Sequence, residues 1–255
     1  MTNKRNKINR LLTLAFLLIE SLLFYLIHVE NANLGFSLHY AVIILATAFA
    51  WLTLFIKLIT TKENNESPLK LIFGIKDGNL LRIAMLFTLA ADYFLVFLPE
   101  IQRMNGMLCF LGTQLFIFLH LVVRDENPKS RLANIITRVV LSLVLVLATF
   151  IVLGPDADKL ALVSIIYYAN LLTSMIFAPK DKRGGFLMAL GLALFALCDI
   201  NVGLSVLNDL YVGGFPEGSI LHTLVNSNID LAWIFYIPSQ VLIPLTLLCG
   251  GKKES

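Results

Sequence analysis

The sequence predicts an all-α membrane protein, a bundle of eight transmembrane helices with both termini in the cytoplasm. Three observations lead to this fold class. Hydrophobic residues make up 58% of the 255 residues and charged residues only 15%, and the mean hydropathy is +0.81. A water-soluble domain of this size cannot bury so much apolar surface. The apolar residues also form long uninterrupted runs, and the basic residues gather on one side of the bundle that these runs define.

Eight runs are long enough to cross a bilayer, which takes roughly 20 apolar residues. In chain order they cover residues 11–27, 39–59, 80–98, 104–123, 132–153, 159–177, 184–207 and 231–249. The connections are polar, for example ENNESP at 63–68 and RDENPKS at 124–130. No polar segment is long enough to form a separate core, so residues 1–255 are predicted to be one membrane domain. The first run contains Glu20 and lacks a small-residue cleavage site, which favours a retained helix over a signal peptide.

The positions of lysine and arginine orient the bundle. With the N-terminus inside, all of the 20 basic residues except Arg103 and Lys159 fall on the inner side. The inner set is Lys4, Arg5, Lys7 and Arg10; Lys57, Lys62, Lys70, Lys76 and Arg82; Arg124, Lys129, Arg131 and Arg138; Lys180, Lys182 and Arg183; and Lys252 and Lys253. An excess of Lys and Arg marks the cytoplasmic side. We therefore expect cytoplasmic termini in a multi-pass protein of a bacterial-type cell membrane.

Polar side chains inside the apolar runs are the candidates for function, because an ionisable group at membrane depth is costly. They are Glu20, Asp92, Gln114, His120, Asn170, Asp199, Asn201, Tyr236 and Gln240. A rise of about 1.5 Å per residue places Asp92 ~18 Å and Asp199 ~22 Å from the inner ends of their runs. Both carboxylates then fall in the outer half of a core about 30 Å thick. Gln114, Tyr236 and Gln240 lie ~15, ~8 and ~13 Å below the outer face, so the five side chains can share one layer.

Helix geometry refines this set. His120 lies ~24 Å from the outer face, but it is predicted to lean toward the layer, since side chains lean toward the N-terminus of their helix. Asp199 and Asn201 are two residues apart and point to nearly opposite faces, so only Asp199 is kept. Pro238 is predicted to bend the last helix between Tyr236 and Gln240.

Two similar segments suggest an internal repeat. LFTLAAD ends at Asp92 and LFALCD ends at Asp199, each in the third helix of a four-helix half. Both helices run in the same direction, which is consistent with a 4+4 parallel repeat of the kind found in some transporters.

Most of the polar candidates also have a purely structural interpretation. Asn and Gln in membrane helices usually form interhelical hydrogen bonds, which would account for Gln114 and Asn170. Glu20 can pair with another helix or stay protonated, and His120 can be a hydrogen-bonded packing residue. Two aspartates in one layer are harder to explain by packing alone.

Two carboxyl groups in one low-dielectric pocket are expected to share a proton, which leaves one acid and one ionised base. Glycosidases use a pair of carboxyl groups in these two roles. Inside a bilayer, such a pocket suits an acid-labile bond near the head group of a lipid.

Other chemistries lack their sequence signatures. Of the four histidines, His28, His39, His120 and His222, only His120 lies well inside a predicted helix, which argues against a zinc site. There is no GxSxG segment, phosphate loop or Rossmann fingerprint. Cys109, Cys198 and Cys249 have no CxxC spacing and are predicted to be small apolar residues.

Four short motifs, in order along the chain, resemble the lysoplasmalogenase (YhhN-like) family of eight-helix membrane proteins. The family's third helix carries an L-x-G-D-type motif, here LAAD ending at Asp92. Its fourth carries G-x-x-x-F-x-x-x-H, here Gly112, Phe116 and His120. Its seventh carries a small-residue/S-D segment, here LFALCD ending at Asp199, and its eighth carries Y-x-x-x-Q, here Tyr236 and Gln240.

The resemblance implies hydrolysis of the vinyl ether bond of a lysoplasmalogen to a fatty aldehyde and a glycerophospho-ethanolamine or -choline. Asp92 and Asp199 would be the catalytic acid and base, in an order that the residues leave open. The substrate-binding candidates are His120, Gln114, Tyr236, Gln240, Glu20 and Asn170. The resemblance implies no cofactor and no metal, and we expect a lysophospholipid or other lipid substrate in the bilayer and no nucleic-acid partner.

Two other functions fit the same residues. A non-enzymatic lipid-binding protein or a proton-coupled transporter would also place carboxylates at membrane depth between paired half-bundles. A purely structural membrane protein would need the aspartates only for stability.

Overall fold

The structure is a computed structural model that describes residues 2–29, 35–62, 78–210, 214–227 and 230–249. Within these ranges the chain is helical and has no β-strand. The α-helices are α1 (Thr2–Val29), α2 (Gly35–Lys62), α3 (Asn79–Asp92), α4 (Pro99–Arg124), α5 (Pro128–Leu153), α6 (Lys159–Phe177), α7 (Gly185–Leu210), α8 (Ile220–Val225) and α9 (Leu231–Leu245).

The eight predicted membrane runs are confirmed as helices. In the described part of the chain, eight segments are long and apolar enough to cross a membrane: Asn6–His28, Leu38–Ile59, Asn79–Phe97, Gln102–Arg124, Pro128–Asp156, Lys159–Lys180, Gly185–Asp209 and Leu231–Leu248. The short helix α8 lies in the connection between α7 and α9. The orientation of the termini, the single domain and the repeat remain predictions.

Some of the sequence features lie outside the described residues. They are the connection at 63–68, the residues Lys70, Lys76, Lys252 and Lys253, and the side chains of Lys4, Arg5 and Lys62.

Several helix starts are set by capping residues. Asn127 accepts a hydrogen bond from the amide of Lys129 at 3.0 Å, and Pro128 follows in the first helical turn, where a missing amide donor costs little. This cap explains why α5 begins at Pro128 rather than at the predicted residue 132. Asp158 caps α6 in the same way, by accepting from the amide of Ala161 at 2.7 Å.

Six helices form a closed ring in the order α2, α3, α4, α6, α7 and α9, with α9 returning to α2. Outside this ring, α1 packs on α2 and α9, and α5 packs on α6. Many large apolar side chains of α5 are exposed, as expected for a lipid-facing helix. The interior of the six-helix ring is therefore the place where buried polar side chains can meet.

Arg82, which the charge count assigned to the inner flank, is buried between α2 and α3. Only 3% of its surface is exposed. Its Nε donates to the carbonyl of Ala50 at 2.9 Å, and Nη2 donates to the Thr53 hydroxyl at 3.0 Å. Nη1 donates to Oδ1 of Asn79 at 2.8 Å. Arg82 thus fixes the start of α3 against α2.

Replacing Arg82 with Met is expected to lower the free energy of unfolding by ~3 kcal/mol, because each hydrogen bond of a buried charged group contributes about 1.5–3 kcal/mol and the losses are only partly additive. Unfolding in mixed micelles measures this change. Arg103→Met, which alters an exposed arginine of α4, is the matched control. An Arg82→Met variant as stable as the control would contradict the proposed role.

Candidate functional site

Asp92 lies at the end of α3 and points into the helix ring. Asp92 is 5% exposed, and its Oδ2 accepts a hydrogen bond from the hydroxyl of Tyr236 on α9. The chain then forms a π-helical turn at Tyr93–Phe97, leaves helical geometry at Leu98 (φ −131°), and enters α4 at Pro99. The sequence predicted one continuous helix over 80–98, so this break is a correction. Single π-helical turns of this kind are frequent at functional sites.

Asp199 on α7 and Tyr167 on α6 form a second pair of a carboxyl group and a tyrosine hydroxyl. Oδ2 of Asp199 accepts a hydrogen bond from the hydroxyl of Tyr167 at 2.7 Å. Asp199 is half-buried, and Tyr167 is 2% exposed. The neighbouring Asn201 donates instead to the carbonyl of Leu197 at 2.7 Å, which agrees with the predicted choice of Asp199.

The sequence reasoning missed Tyr167. Its depth in the membrane could have identified it, because Tyr167 lies eight residues into its membrane segment, Lys159–Lys180, which begins at the predicted outer face. This position corresponds to a depth of ~12 Å, and the same estimate selected Tyr236 and Gln240.

An aromatic cluster joins the two pairs. The Phe195 ring contacts Tyr236 with ring centroids 5.4 Å apart and Tyr167 with centroids 6.4 Å apart. Phe110 packs on both Tyr167 and Phe195, each at 5.5 Å. The arrangement is a mostly aromatic cluster that contains two carboxyl groups, each held by a tyrosine hydroxyl.

Three predicted polar residues have side-chain atoms without a hydrogen-bond partner in the described part of the chain. They are both amide atoms of Gln114, Oε1 of Gln240 and both carboxyl oxygens of Glu20. These residues are 0%, 1% and 2% exposed, respectively. A buried polar group without a partner is costly. Such atoms are therefore available to bind water or a polar part of a ligand.

His120 does not lean toward the aspartates, which corrects the expectation from helix geometry. Its Nε2 accepts a hydrogen bond from Nη1 of Arg124 at 3.3 Å, one turn closer to the predicted cytoplasmic end. The same Nη1 donates to Oδ2 of Asp181 at 2.9 Å. The hydrogen bond to Arg124 thus orients the imidazole ring toward the predicted cytoplasmic end of α4 and away from the layer of the aspartates.

Asn170 also lies away from the two aspartates. Its Oδ1 accepts from Nη1 of Arg138 on α5 at 2.7 Å, and its Nδ2 donates to the carbonyl of Ile166 at 2.7 Å. The structural interpretation, an interhelical hydrogen bond, therefore describes Asn170.

The sequence profile of the YhhN family matches residues 71–247, more than two thirds of the chain. The chain belongs to the YhhN family. The resemblance drawn from the four motifs is thereby confirmed. No curated protein and no solved structure gives a match. The YhhN segment contains both aspartates and both tyrosines, whereas Glu20 on α1 lies outside it.

The YhhN motif on α4 has a packing role. A Cβ on Gly112 would lie 2.6 Å from Cδ1 of Phe87 on α3, so glycine allows the two helices to approach closely. Phe116, one turn later, stacks on the same Phe87 ring at 5.3 Å. The Gly and Phe of the motif therefore position α3, the helix that ends at Asp92.

Replacing Gly112 with Ala is expected to destabilise the protein by about 1–3 kcal/mol, because the added methyl overpacks the α3–α4 contact. The measurement is the free energy of unfolding in mixed micelles. Gly203→Ala on α7 is the control, since its Cβ would meet nothing within 4 Å. Equal stability of the two variants would show that the close approach at Gly112 is not needed.

Proposed function

We propose that this YhhN-family protein is a hydrolase that cleaves the vinyl ether bond of lysoplasmalogens. The products are a fatty aldehyde and glycerophospho-ethanolamine or -choline. The observation that carries the proposal is the pair of carboxyl groups of Asp92 and Asp199, each hydrogen-bonded to a tyrosine of one aromatic cluster. Family membership supports the hydrolase class.

The first step is protonation of carbon. One carboxyl group of the pair is protonated and donates its proton to the alkenyl carbon that is not bonded to oxygen. The double-bond electrons form the new C–H bond, and the carbon next to oxygen becomes an oxocarbenium-like cation. The apolar walls formed by Phe110 and Phe195 exclude bulk water, so the interaction of this cation with the ionised carboxylate is strong.

The second step adds water. The ionised carboxylate accepts a proton from a water molecule as the water oxygen attacks the cationic carbon, which gives a hemiacetal. The hemiacetal collapses when its hydroxyl proton passes to the carboxylate that gave up its proton in the first step, while the carboxyl group that took the water proton donates it to the departing glycerol oxygen. One water molecule is consumed overall, and the carboxyl pair returns to its starting protonation state.

The tyrosines and glutamines would bind and orient the reactants. Tyr236 and Tyr167 hold the carboxylates in place, and the unpartnered amide atoms of Gln114 and Gln240 are suited to binding the attacking water or the glycerol hydroxyl. His120 and Asn170 are not included, because their side chains bond to Arg124 and Arg138. The proposal places the protein in a bacterial-type cell membrane with cytoplasmic termini.

The experiment compares two lysophospholipids that share a head group and chain length, one with a 1-alkenyl and one with a saturated 1-alkyl ether. The purified protein is expected to release aldehyde from the alkenyl lipid only, because the saturated ether has no double bond to protonate. Folded protein that releases no aldehyde from either the ethanolamine or the choline form would overturn the proposal. A proton-coupled transport assay would then be the next test.

A further inference from the structure

A second polar site lies on the outside of the helix ring, in a crevice between α4 and α5. These two helices follow each other in sequence, and both pack on α6, which forms the floor between them. The crevice has a volume of about 440 Å³. It is lined by Leu108, Leu111, Leu115 and Phe118 of α4, by Arg138 of α5 and by Asn170 of α6. We refer to it as the α4–α5 crevice.

Arg138 provides the charge of this crevice. The sequence placed it with the basic residues of the inner flank, but it lies within the membrane segment Pro128–Asp156 and is only 8% exposed. Its Nη1 donates to the carbonyl of Asn170 at 3.1 Å as well as to the Asn170 side chain. Its Nη2 donates to Ser174 Oγ at 3.1 Å and to Asn134 Oδ1 at 3.3 Å. The guanidinium also lies 4.4 Å from the centre of the Phe118 ring.

All of these partners are neutral. Among the residues that the structure describes, the ion pairs of arginine are those of Arg124 and Arg183 with Asp181, and no carboxylate pairs with Arg138. Its Nε is buried and has no hydrogen-bond partner in the same part of the chain. Neutral acceptors orient a guanidinium without cancelling its charge, and a cation at membrane depth is normally paired. The charge that remains can be neutralised by an anion, and arginine is well suited to phosphate oxygens.

The direction of the crevice indicates the kind of anion. Phe118, beside the guanidinium, precedes Arg124 by six residues, so it lies ~9 Å from the predicted cytoplasmic end of α4. From Phe118 the crevice runs toward Leu108, a distance of ~15 Å along the helix. Leu108 and Leu115 are 48% and 52% exposed, so the crevice is open to the side. A ligand with its charge near the inner leaflet and an apolar chain directed outward fits this shape.

We propose that the α4–α5 crevice binds an anionic phospholipid of the cytoplasmic leaflet, with its phosphate on Arg138 and one acyl chain along α4. This site differs from the cluster that contains the two aspartates. Asn170 and Tyr167 both lie on α6, but the Asn170 side chain bonds to α5 and the Tyr167 side chain bonds to α7. The bound lipid is therefore an accessory ligand that also links the peripheral helix α5 to the ring.

The test measures lipid retention by native mass spectrometry, after transfer of the full chain from nanodiscs that contain phosphatidylglycerol and phosphatidylcholine with identical chains. The parent is expected to retain phosphatidylglycerol in preference to phosphatidylcholine. Arg138→Gln is expected to retain it about tenfold less well, which corresponds to the loss of one charge-assisted hydrogen bond. Arg131→Gln, at an exposed position of α5, is expected to behave as the parent.

A second variant keeps the test decisive if Arg138→Gln fails to fold. Leu115→Trp leaves the arginine in place and fills the crevice, so it is expected to lose phosphatidylglycerol as well. Leu147→Trp, at an exposed position of α5 outside the crevice, is its control. Equal retention of the two lipids by the parent, or undiminished phosphatidylglycerol retention by Leu115→Trp, would overturn the proposal. Neither outcome bears on the vinyl ether reaction, which is measured by aldehyde release.

Discussion

Replacing either Asp92 or Asp199 with asparagine is expected to lower aldehyde release from a lysoplasmalogen by at least ~10²-fold, the lower end of what a positioned general acid or base contributes. Asparagine has nearly the same shape as aspartate, but it can neither donate the proton to carbon nor accept one from water. Both variants should therefore lose activity, whichever carboxyl group acts first. The measurement is the initial rate of aldehyde formation by detergent-purified protein.

The matched control is Asp209→Asn, the same substitution at an exposed position of α7, which should leave the rate unchanged. Unfolding in mixed micelles separates lost chemistry from lost structure. A folded Asp199→Asn variant with the parent rate would show that this carboxyl group takes no part in the reaction. The proton-sharing mechanism would then be wrong, even if the protein hydrolyses the lipid.

Replacing Tyr236 or Tyr167 with phenylalanine is expected to reduce the turnover rate about tenfold, the effect of losing ~1.4 kcal/mol from a hydrogen bond that positions the carboxyl group. Phenylalanine keeps the ring contacts with Phe195 and removes only the hydroxyl donor. Because the tyrosines act through the aspartates, we expect kcat to fall more than KM changes.

Tyr93→Phe is the control for this pair. Tyr93 directly follows Asp92, but the residue is 44% exposed, and no hydrogen bond to its hydroxyl is among those of the described residues. A loss of activity in Tyr93→Phe equal to that in Tyr236→Phe would mean that removing any hydroxyl near Asp92 has the same effect. The specific hydrogen bond between Tyr236 and Asp92 would then have no catalytic role.

The membrane helices could be predicted from the sequence because their cause is local. Each span needs its own run of apolar residues, and these runs are visible one at a time. The π-helical turn after Asp92 was not predictable in this way. It depends on how α3 ends against α4, at a point where the composition remains apolar through Leu98.

The site was only partly predictable, since depth along a helix can be counted but contacts between helices cannot. Depth selected Asp92, Asp199 and Tyr236, all of which take part in the two carboxyl–tyrosine hydrogen bonds. Depth did not predict the orientation of His120, because the hydrogen bond with Arg124 outweighs the tendency of the side chain to lean toward the N-terminus of its helix.

The burial of two arginines was not predicted for a related reason. Arg82 and Arg138 lie near the inner ends of their runs, where a basic residue is usually at the membrane surface. Their interhelical hydrogen bonds, to Thr53 and Asn170 among others, hold them inside the bundle. A charge count along the sequence cannot separate these two situations.

The most direct test of carbon protonation by the carboxyl pair is to run the reaction in D₂O and trap the aldehyde at once as a hydrazone. Exchangeable carboxyl protons become deuterons, so the proposed mechanism predicts one deuterium at the carbon next to the aldehyde group. The parent should form this product, and the Asp92→Asn and Asp199→Asn variants should form almost none. Aldehyde that carries no deuterium at this carbon, or the same amount of deuterated aldehyde from the variants, would contradict the assignment of Asp92 and Asp199.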